Sequence, residues 1–220
     1  IYRDLYTRYR YELISDSRKR QHSKWMDKLQ IIDSTTITLF SNLIFKGVGR
    51  HPKTGKKKGG IKVHTVIHAN EGVPSDIKFT SAATNDSFML KPSTLNKGDI
   101  MAMDRAYIDY EKFEELTQRG VVYVTKLKKS LKYATNKDIM YQTPNGLMEV
   151  RLQYVTFSKQ VKDGDAIIHN ARIVTYVDMK KHKLVSLLTN DLTSDPDEII
   201  AIYRQRWEIE LLFKQIKQNF

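Results

Sequence analysis

The sequence predicts an α/β fold, and three observations carry that prediction. Residues 30–82 read as three consecutive strands separated by turn signals, most simply an antiparallel meander. Two short apolar strands then flank an amphipathic helix, a βαβ unit in which parallel strands are expected. The chain closes on a capped helix, preceded by a β-rich stretch. Antiparallel and parallel pairings together make a mixed sheet flanked by helices.

The elements follow in order. Tyr2, Leu5, Tyr6, Tyr9 and Leu13 recur at helical spacing, so residues 1–27 read as a helical lead-in with a basic connector, SRKRQHSK. LQIIDSTTITLF is the first strand, with Asp33 within or at the end of its apolar run. IKVHTVIHAN alternates strongly and is the second; EG and VP then mark a turn before SDIKFTSA, the third. TNDSFMLKPSTL reads as a helix with Thr84 or Asn85 as its N-cap. GDIMAMDRAY is a short apolar strand ending in Asp104. DYEKFEELTQRG is a helix stopped by Gly120, and VVYVTKL is the fifth strand.

From 129 to 190 the pattern changes. MEVRLQYVTF, AIIHNARIVTYVDM and LVSLLTN are strand-like, separated by TPNG, KDGD and KKHK. Asp195, Pro196 and Glu198 then open the last helix as N-cap, first helical residue and capping-box partner. The expected segments are the lead-in at 1–27, the first part of the core at 28–128, the β-rich insertion at 129–190, and a core helix within 191–220. Residue 1 is Ile and the last helix has no stop signal, so the natural protein is expected to extend at both ends.

Composition narrows the function. The 220 residues have no Cys, which excludes disulfides and thiolate metal sites. No apolar run approaches the roughly 18–20 residues of a membrane span. The net charge is +12 with a pI near 9.6, which favours a polyanionic partner, nucleic acid being the commonest. From Ser34 to Asn70 there is no Asp or Glu, while Lys46, Arg50, Lys53, Lys56, Lys57, Lys58 and Lys62 lie among Gly47, Gly49, Gly55, Gly59 and Gly60. Such a loop lets backbone and ammonium groups approach phosphates closely. A solvated basic hairpin loop is the plainer account.

The last helix, YRQRWEIELLFKQIKQNF, sets four polar residues at the border of its apolar face. With Tyr203 at zero, steps of about 100° place Arg206 near 300°, Glu210 near 340° and Lys217 near 320°. A cleft wall would place them so. An i,i+4 Arg206–Glu210 ion pair with ordinary border residues would too, although Glu before Arg is the better orientation.

Three carboxylates stand on three elements: Asp33, Asp104 and Glu210. Converging, they would repel unless they bound divalent cations, and Mg²⁺ takes such hard oxygen ligands. Two such ions stabilise both the attacking and the leaving oxygen of a phosphoryl displacement. Each acid also has a structural account: Asp33 closing a turn, Asp104 capping the next helix, Glu210 pairing with Arg206.

Tyr203, Arg206, Glu210 and Lys217 fit the pattern Tyr-x2-Arg-x3-Glu-x6-Lys without a gap. IIDSTTI, GDIMAMDRAY and FTSAATNDSFML complete a set that resembles the bacterial DDE transposases of the insertion sequence 4 family, over residues 28–220. The resemblance implies a ribonuclease H-like fold: a five-stranded mixed sheet with helices on both faces and a β-rich insertion before the Glu helix. It implies Asp33, Asp104 and Glu210 as catalytic triad and ligands of Mg²⁺, with Mn²⁺ as substitute. The implied reaction is hydrolysis at transposon ends, commonly a hairpin stage, then strand transfer. The implied partners are double-stranded DNA, as terminal repeats and target, and a second copy in a synaptic dimer. The expected location is the bacterial cytoplasm, at the nucleoid.

Tyr203, Arg206 and Lys217 would hold phosphates, with Lys214, Arg105, Lys56, Lys57 and Lys58 as further DNA contacts. Lys62 and His64 alternate with Val63 on the second strand, share a face, and are expected to look toward the site; a packing role for His64 is the plainer account. Trp207 is either a core residue or a platform for an extruded base. Asp86 is either an outer support of the site or an ordinary first-turn acid. Three other readings stay open: another metal nuclease on the same fold, an inactive or domesticated transposase that only binds DNA, and a basic RNA-binding domain.

Overall fold

The structure is a computed structural model that describes residues 23–38, 60–72, 74–142, 149–160, 165–179 and 181–219. The expected helix over 2–13, the glycine-rich basic loop with Lys56, Lys57 and Lys58, and the TPNG turn lie outside those residues. The chain forms two compact units: Ile1–Leu90 with Arg206–Phe220, and Lys91–Gln205.

The first unit is built on three strands: β1 (Leu29–Thr38), β2 (Gly60–His68) and β3 (Pro74–Ser81). They pair antiparallel in sequence order, as the turn signals predict. Leu29, Ile31, Ile32 and Ile67 are almost fully buried, which anchors β1 and β2 as the apolar part of the meander. The register sets Asp33 opposite Thr65 and Ser34 opposite His64. Side chains alternate across a strand, so Asp33 and Ser34 point to opposite faces.

The segment after β3 is not the expected helix. It is two 3₁₀ turns, Asp86–Met89 and Pro92–Thr94. Asn85 does cap the first, its side chain accepting from the Ser87 N–H at 3.3 Å. Pro92 stops its continuation, because it lacks an N–H and disfavours helical backbone at Lys91. Helix α3 (Trp207–Asn219), the C-terminal helix among the described residues, completes this unit, packing on β1 through buried Ile209 and Phe213.

The second unit opens with β4 (Ile100–Met103), a strand buried on all four residues. Asp104 follows it and caps the 3₁₀ turn Arg105–Tyr107. Helix α1 (Tyr110–Gln118) is capped by Asp109 and buries Phe113 and Leu116. Gly120 ends it with φ 70, a left-handed conformation that favours glycine. Strand β5 (Val122–Lys126) returns parallel to β4, completing the expected βαβ unit.

Four strands follow: β6 (Ala134–Gln142), β7 (Glu149–Lys159), β8 (Ile167–Asp178) and β9 (Lys183–Thr189). They are not a sheet of their own. Strand β9 pairs antiparallel with β5, so this unit holds one six-stranded mixed sheet, β4-β5-β9-β8-β7-β6. Leu187 and Leu188 of β9 are fully buried there, apolar area that an isolated insertion would leave wet. Strand β6 has no counterpart among the strands read from sequence. It is a largely exposed edge strand with no alternation of apolar residues, so nothing in its pattern marks it. Helix α2 (Pro196–Gln205) packs on β4, β5 and β9 through Ile199, Ile200, Ile202 and Tyr203. The Asp195 carboxylate caps it, accepting from the Asp197 N–H at 2.9 Å.

The expected single C-terminal helix is therefore two, α2 and α3, interrupted at Arg206. Each half buries its apolar face in a different unit, a demand that one uninterrupted helix face does not have to meet. No helix among the described residues is long and apolar enough to cross a membrane.

Candidate active site

Asp33 stands on β1 and Glu210 one turn into α3, and the packing of α3 on β1 brings them to one place. Arg206 lies between them. Its Nη1 donates to Asp33 Oδ2 at 2.8 Å, across 173 positions of sequence, and its Nη2 donates to Glu210 Oε1. The expected Arg206–Glu210 pair is thus present, but it is one half of a three-residue arrangement. The side chains of Arg206 and Asp33 are only 11% and 15% exposed, and that of Glu210 is 35% exposed, so this is the wall of a cleft. The Asp33 carboxylate is further tied down by the Ser34 N–H, which donates to Oδ1 at 2.7 Å.

A cavity of about 410 Å³ opens beside these groups, lined by Asp33, Ser34, Thr35, Glu210, Phe213, Lys214 and Gln218. Thr35, Phe213 and Gln218 had no signal in the sequence, because each lines the cavity only through the docking of α3. Lys214 is exposed at its rim, the one cation among those lining residues.

The opposite face of β1 carries a second polar cluster. Ser34 Oγ donates to Asp86 Oδ1 at 2.5 Å, and Lys62 Nζ lies 3.2 Å from the same oxygen while donating to the Thr84 carbonyl at 2.6 Å. His64 is fully buried, with Nε2 at 2.8 Å from Thr80 Oγ1 and Nδ1 at 3.9 Å from Asp86. Burial holds its pKa below the ordinary histidine value; Asp86 opposes that, and Lys62 and Lys78 reinforce it. The expectation that Lys62 and His64 look toward Asp33 is not met, since the register gives them Ser34's face. They and Asp86 brace the strand that carries Asp33.

The other sequence-predicted residues are elsewhere. Asp104, in the second unit, accepts from the Ala106 N–H at 3.0 Å, which is its capping role. Arg105 beside it is exposed. Tyr203 is buried in the second unit, with Lys126 Nζ 5.6 Å from its ring centre. Trp207 is 53% exposed and so is not the core residue that its place beside the apolar face suggested. Lys217 lies in α3, its side chain outside the described residues.

Among the described residues no group of three or more His, Asp or Glu is placed to hold a metal ion. Asp33 and Glu210 nevertheless make a pair of hard oxygen donors already engaged by one cation, the guanidinium. That donor chemistry fits a divalent ion such as Mg²⁺.

The second unit holds a different cluster. His169 is fully buried on β8, with Nδ1 at 2.9 Å from Glu114 Oε2 and Nε2 at 2.7 Å from Tyr123 Oη. A carboxylate only accepts, so Nδ1 carries the proton and Nε2 accepts from the tyrosine hydroxyl. Burial lowers the His169 pKa against the pull of Glu114, and raises that of Tyr123 well above its ordinary value. The alternation of AIIHNARIV, which turns His169 inward with Ala171, was the available signal.

Comparison with known sequences gives a consistent answer. The family described as "Transposase DDE domain" matches residues 24–220. The chain is 27% identical over 206 residues to the protein y4zB of Sinorhizobium fredii, covering 93% of this chain and 55% of that one. It is 22% identical over 200 residues to the "Probable transposase for insertion sequence element IS5377" of Geobacillus stearothermophilus, covering 90% of this chain and 50% of that one. Among solved structures, the cryo-EM structure of the piggyBac transposase synaptic complex with hairpin DNA aligns at a TM-score of 0.45 and 10% identity, covering 86% of this chain and 40% of that one. The chain spans about half the length of the curated relatives it matches.

Proposed function

We propose, from the premise that this chain belongs to the transposase DDE domain family, that it is the catalytic core of an insertion-sequence DNA transposase. The family membership bears out the resemblance read from the Tyr-x2-Arg-x3-Glu-x6-Lys pattern. The observation that carries the activity is the junction of Asp33 and Glu210, from β1 and α3, at one cleft with Arg206 between them. An ordinary surface ion pair does not require two carboxylates from distant elements to converge.

In this reading Asp33, Glu210 and Asp104 are the three carboxylates of a ribonuclease H-like site, and they would hold Mg²⁺, or Mn²⁺ in its place. When bound there, the metal would stabilise charge on the attacking and leaving oxygens of a phosphoryl displacement. The protein's own part is positioning. The Ser34 N–H and the brace of Ser34, Lys62 and Asp86 fix the strand that presents Asp33. Lys214, exposed at the cleft, offers a point charge to a phosphodiester, and the guanidinium of Arg206 would offer a planar fork once released from the two acids. The net charge of +12 supports double-stranded DNA as substrate, in the form of transposon ends and target. A synaptic homodimer, a hairpin stage and a cytoplasmic, nucleoid-associated location complete the proposal.

The test is calorimetric titration of Mn²⁺ into the chain with a short nicked DNA duplex present, repeated with Asp104→Asn and Glu210→Gln. Saturable binding that is lost in both variants supports a shared metal site. Equal heats in all three proteins would refute it and leave a basic DNA-binding domain.

A further inference from the structure

The guanidinium of Arg206 is spent on the two carboxylates rather than held out to a ligand. One nitrogen serves Asp33 and the other Glu210. Both donors come from one rigid planar fork, so the two acids are held at a separation that the fork dictates. Arg206 and Asp33 are mostly shielded from water, where an unopposed pair of carboxylates is costly and a bridging cation offsets their repulsion. The arginine sits at the α2–α3 interruption, where its backbone is not held by an unbroken helix.

We infer that Arg206 is the built-in counter-ion of this site: it holds Asp33 and Glu210 together before a divalent cation arrives, and it must release them for that cation to bind. The inference rests on the metal reading above and adds to it a competition. Asp33 Oδ2 and Glu210 Oε1 cannot give the same lone pairs to a guanidinium and to a metal. Metal entry and arginine release are therefore one exchange, in which the acids keep a cationic partner throughout. The released fork is then available to a phosphate, so the site is loaded in order: cation first, phosphate contact second.

The two roles of Arg206 make opposite demands, and the experiment separates them. Thermal melts in EDTA and Mn²⁺ calorimetry are run on the full chain, on Arg206→Gln, on Arg206→Lys and on Asp33→Asn. In EDTA, Arg206→Gln melts below the parent, because it leaves two acids without their counter-ion. In Mn²⁺ it binds about two- to fivefold more tightly than the parent, the range expected when one modest ion-pair competitor is removed. It also gains more melting temperature from the metal than the parent does. Arg206→Lys, which keeps the charge but not the fork, falls between them. If Arg206→Gln is unfolded in EDTA, folding on addition of Mn²⁺ supports the exchange, and failure to fold with Mn²⁺ overturns it. Equal or weaker Mn²⁺ binding by a folded Arg206→Gln, with the parent binding and Asp33→Asn not, overturns the counter-ion role and leaves the metal site standing. Absence of Mn²⁺ binding in every protein, parent included, overturns both.

Discussion

Replacing His169 by Leu tests whether the buried Glu114–His169–Tyr123 chain is a satisfied polar network. The substitution removes two hydrogen bonds, at 2.9 and 2.7 Å. The two partners respond differently. Glu114 is 31% exposed and recovers much of its lost hydrogen bonding from water. Tyr123 is fully buried, and its hydroxyl loses its acceptor outright, at a cost of about 1–3 kcal/mol. Adding a net loss of about 0.5–1.5 kcal/mol for the Glu114 bond gives a total of about 1.5–4.5 kcal/mol. The double variant Tyr123→Phe/His169→Leu removes the stranded hydroxyl as well. It is therefore expected to be less destabilised than the sum of the single changes, by about 1–3 kcal/mol.

The network also has a pH signature. Burial depresses the folded pKa of His169 below its unfolded value of 6.5, with Glu114 opposing. Above that value both states are neutral and stability does not depend on this group. As pH falls below 6.5 the unfolded chain takes up a proton that the folded chain refuses, so stability falls, by at most about 1.4 kcal/mol per pH unit. The depressed His64 acts in the same sense, so the informative quantity is the difference between parent and His169→Leu. Urea denaturation at pH 8, 7, 6 and 5.5 measures it. A cost below about 1 kcal/mol at pH 8, or parallel pH profiles for parent and variant, would refute the assignment.

Two other outcomes are expected. Gly120→Ala forces a Cβ onto a residue at φ 70, with the Lys97 Cγ 3.0 Å away. The lysine chain can move aside, so the backbone dominates, and a loss of about 1–2 kcal/mol should lower the melting temperature by several degrees, read by circular dichroism. Lys214→Ala should weaken binding of a DNA duplex and reduce the slope of log affinity against log salt by about one, since one phosphate contact is lost; an unchanged slope would remove Lys214 from the DNA-contacting surface.

The primary sequence by itself determined what depends on local pattern. Strand-like apolar patterns and turn signals placed β1, β2, β3, β7, β8 and β9, Gly120 placed the end of α1, and capping residues placed the start of α2. The same local logic singled out Asp33 and Glu210, because an acid inside an apolar strand and an acid at the border of an apolar helix face are visible without any partner. Tertiary structure alone decided what those residues do. The strand register turned Lys62 and His64 away from Asp33 and onto Asp86. The pairing of β9 with β5 joined the predicted insertion to the core strands, and it admitted β6, whose exposed side chains carry no periodic signal. Packing in two separate units interrupted the last helix at Arg206 and set that residue between two acids. The physical reason is common to all of these. A hydrophobic period records which face of an element is buried, but it does not record what the face is buried against, and hydrogen-bond and ion-pair partners are chosen only at that second step.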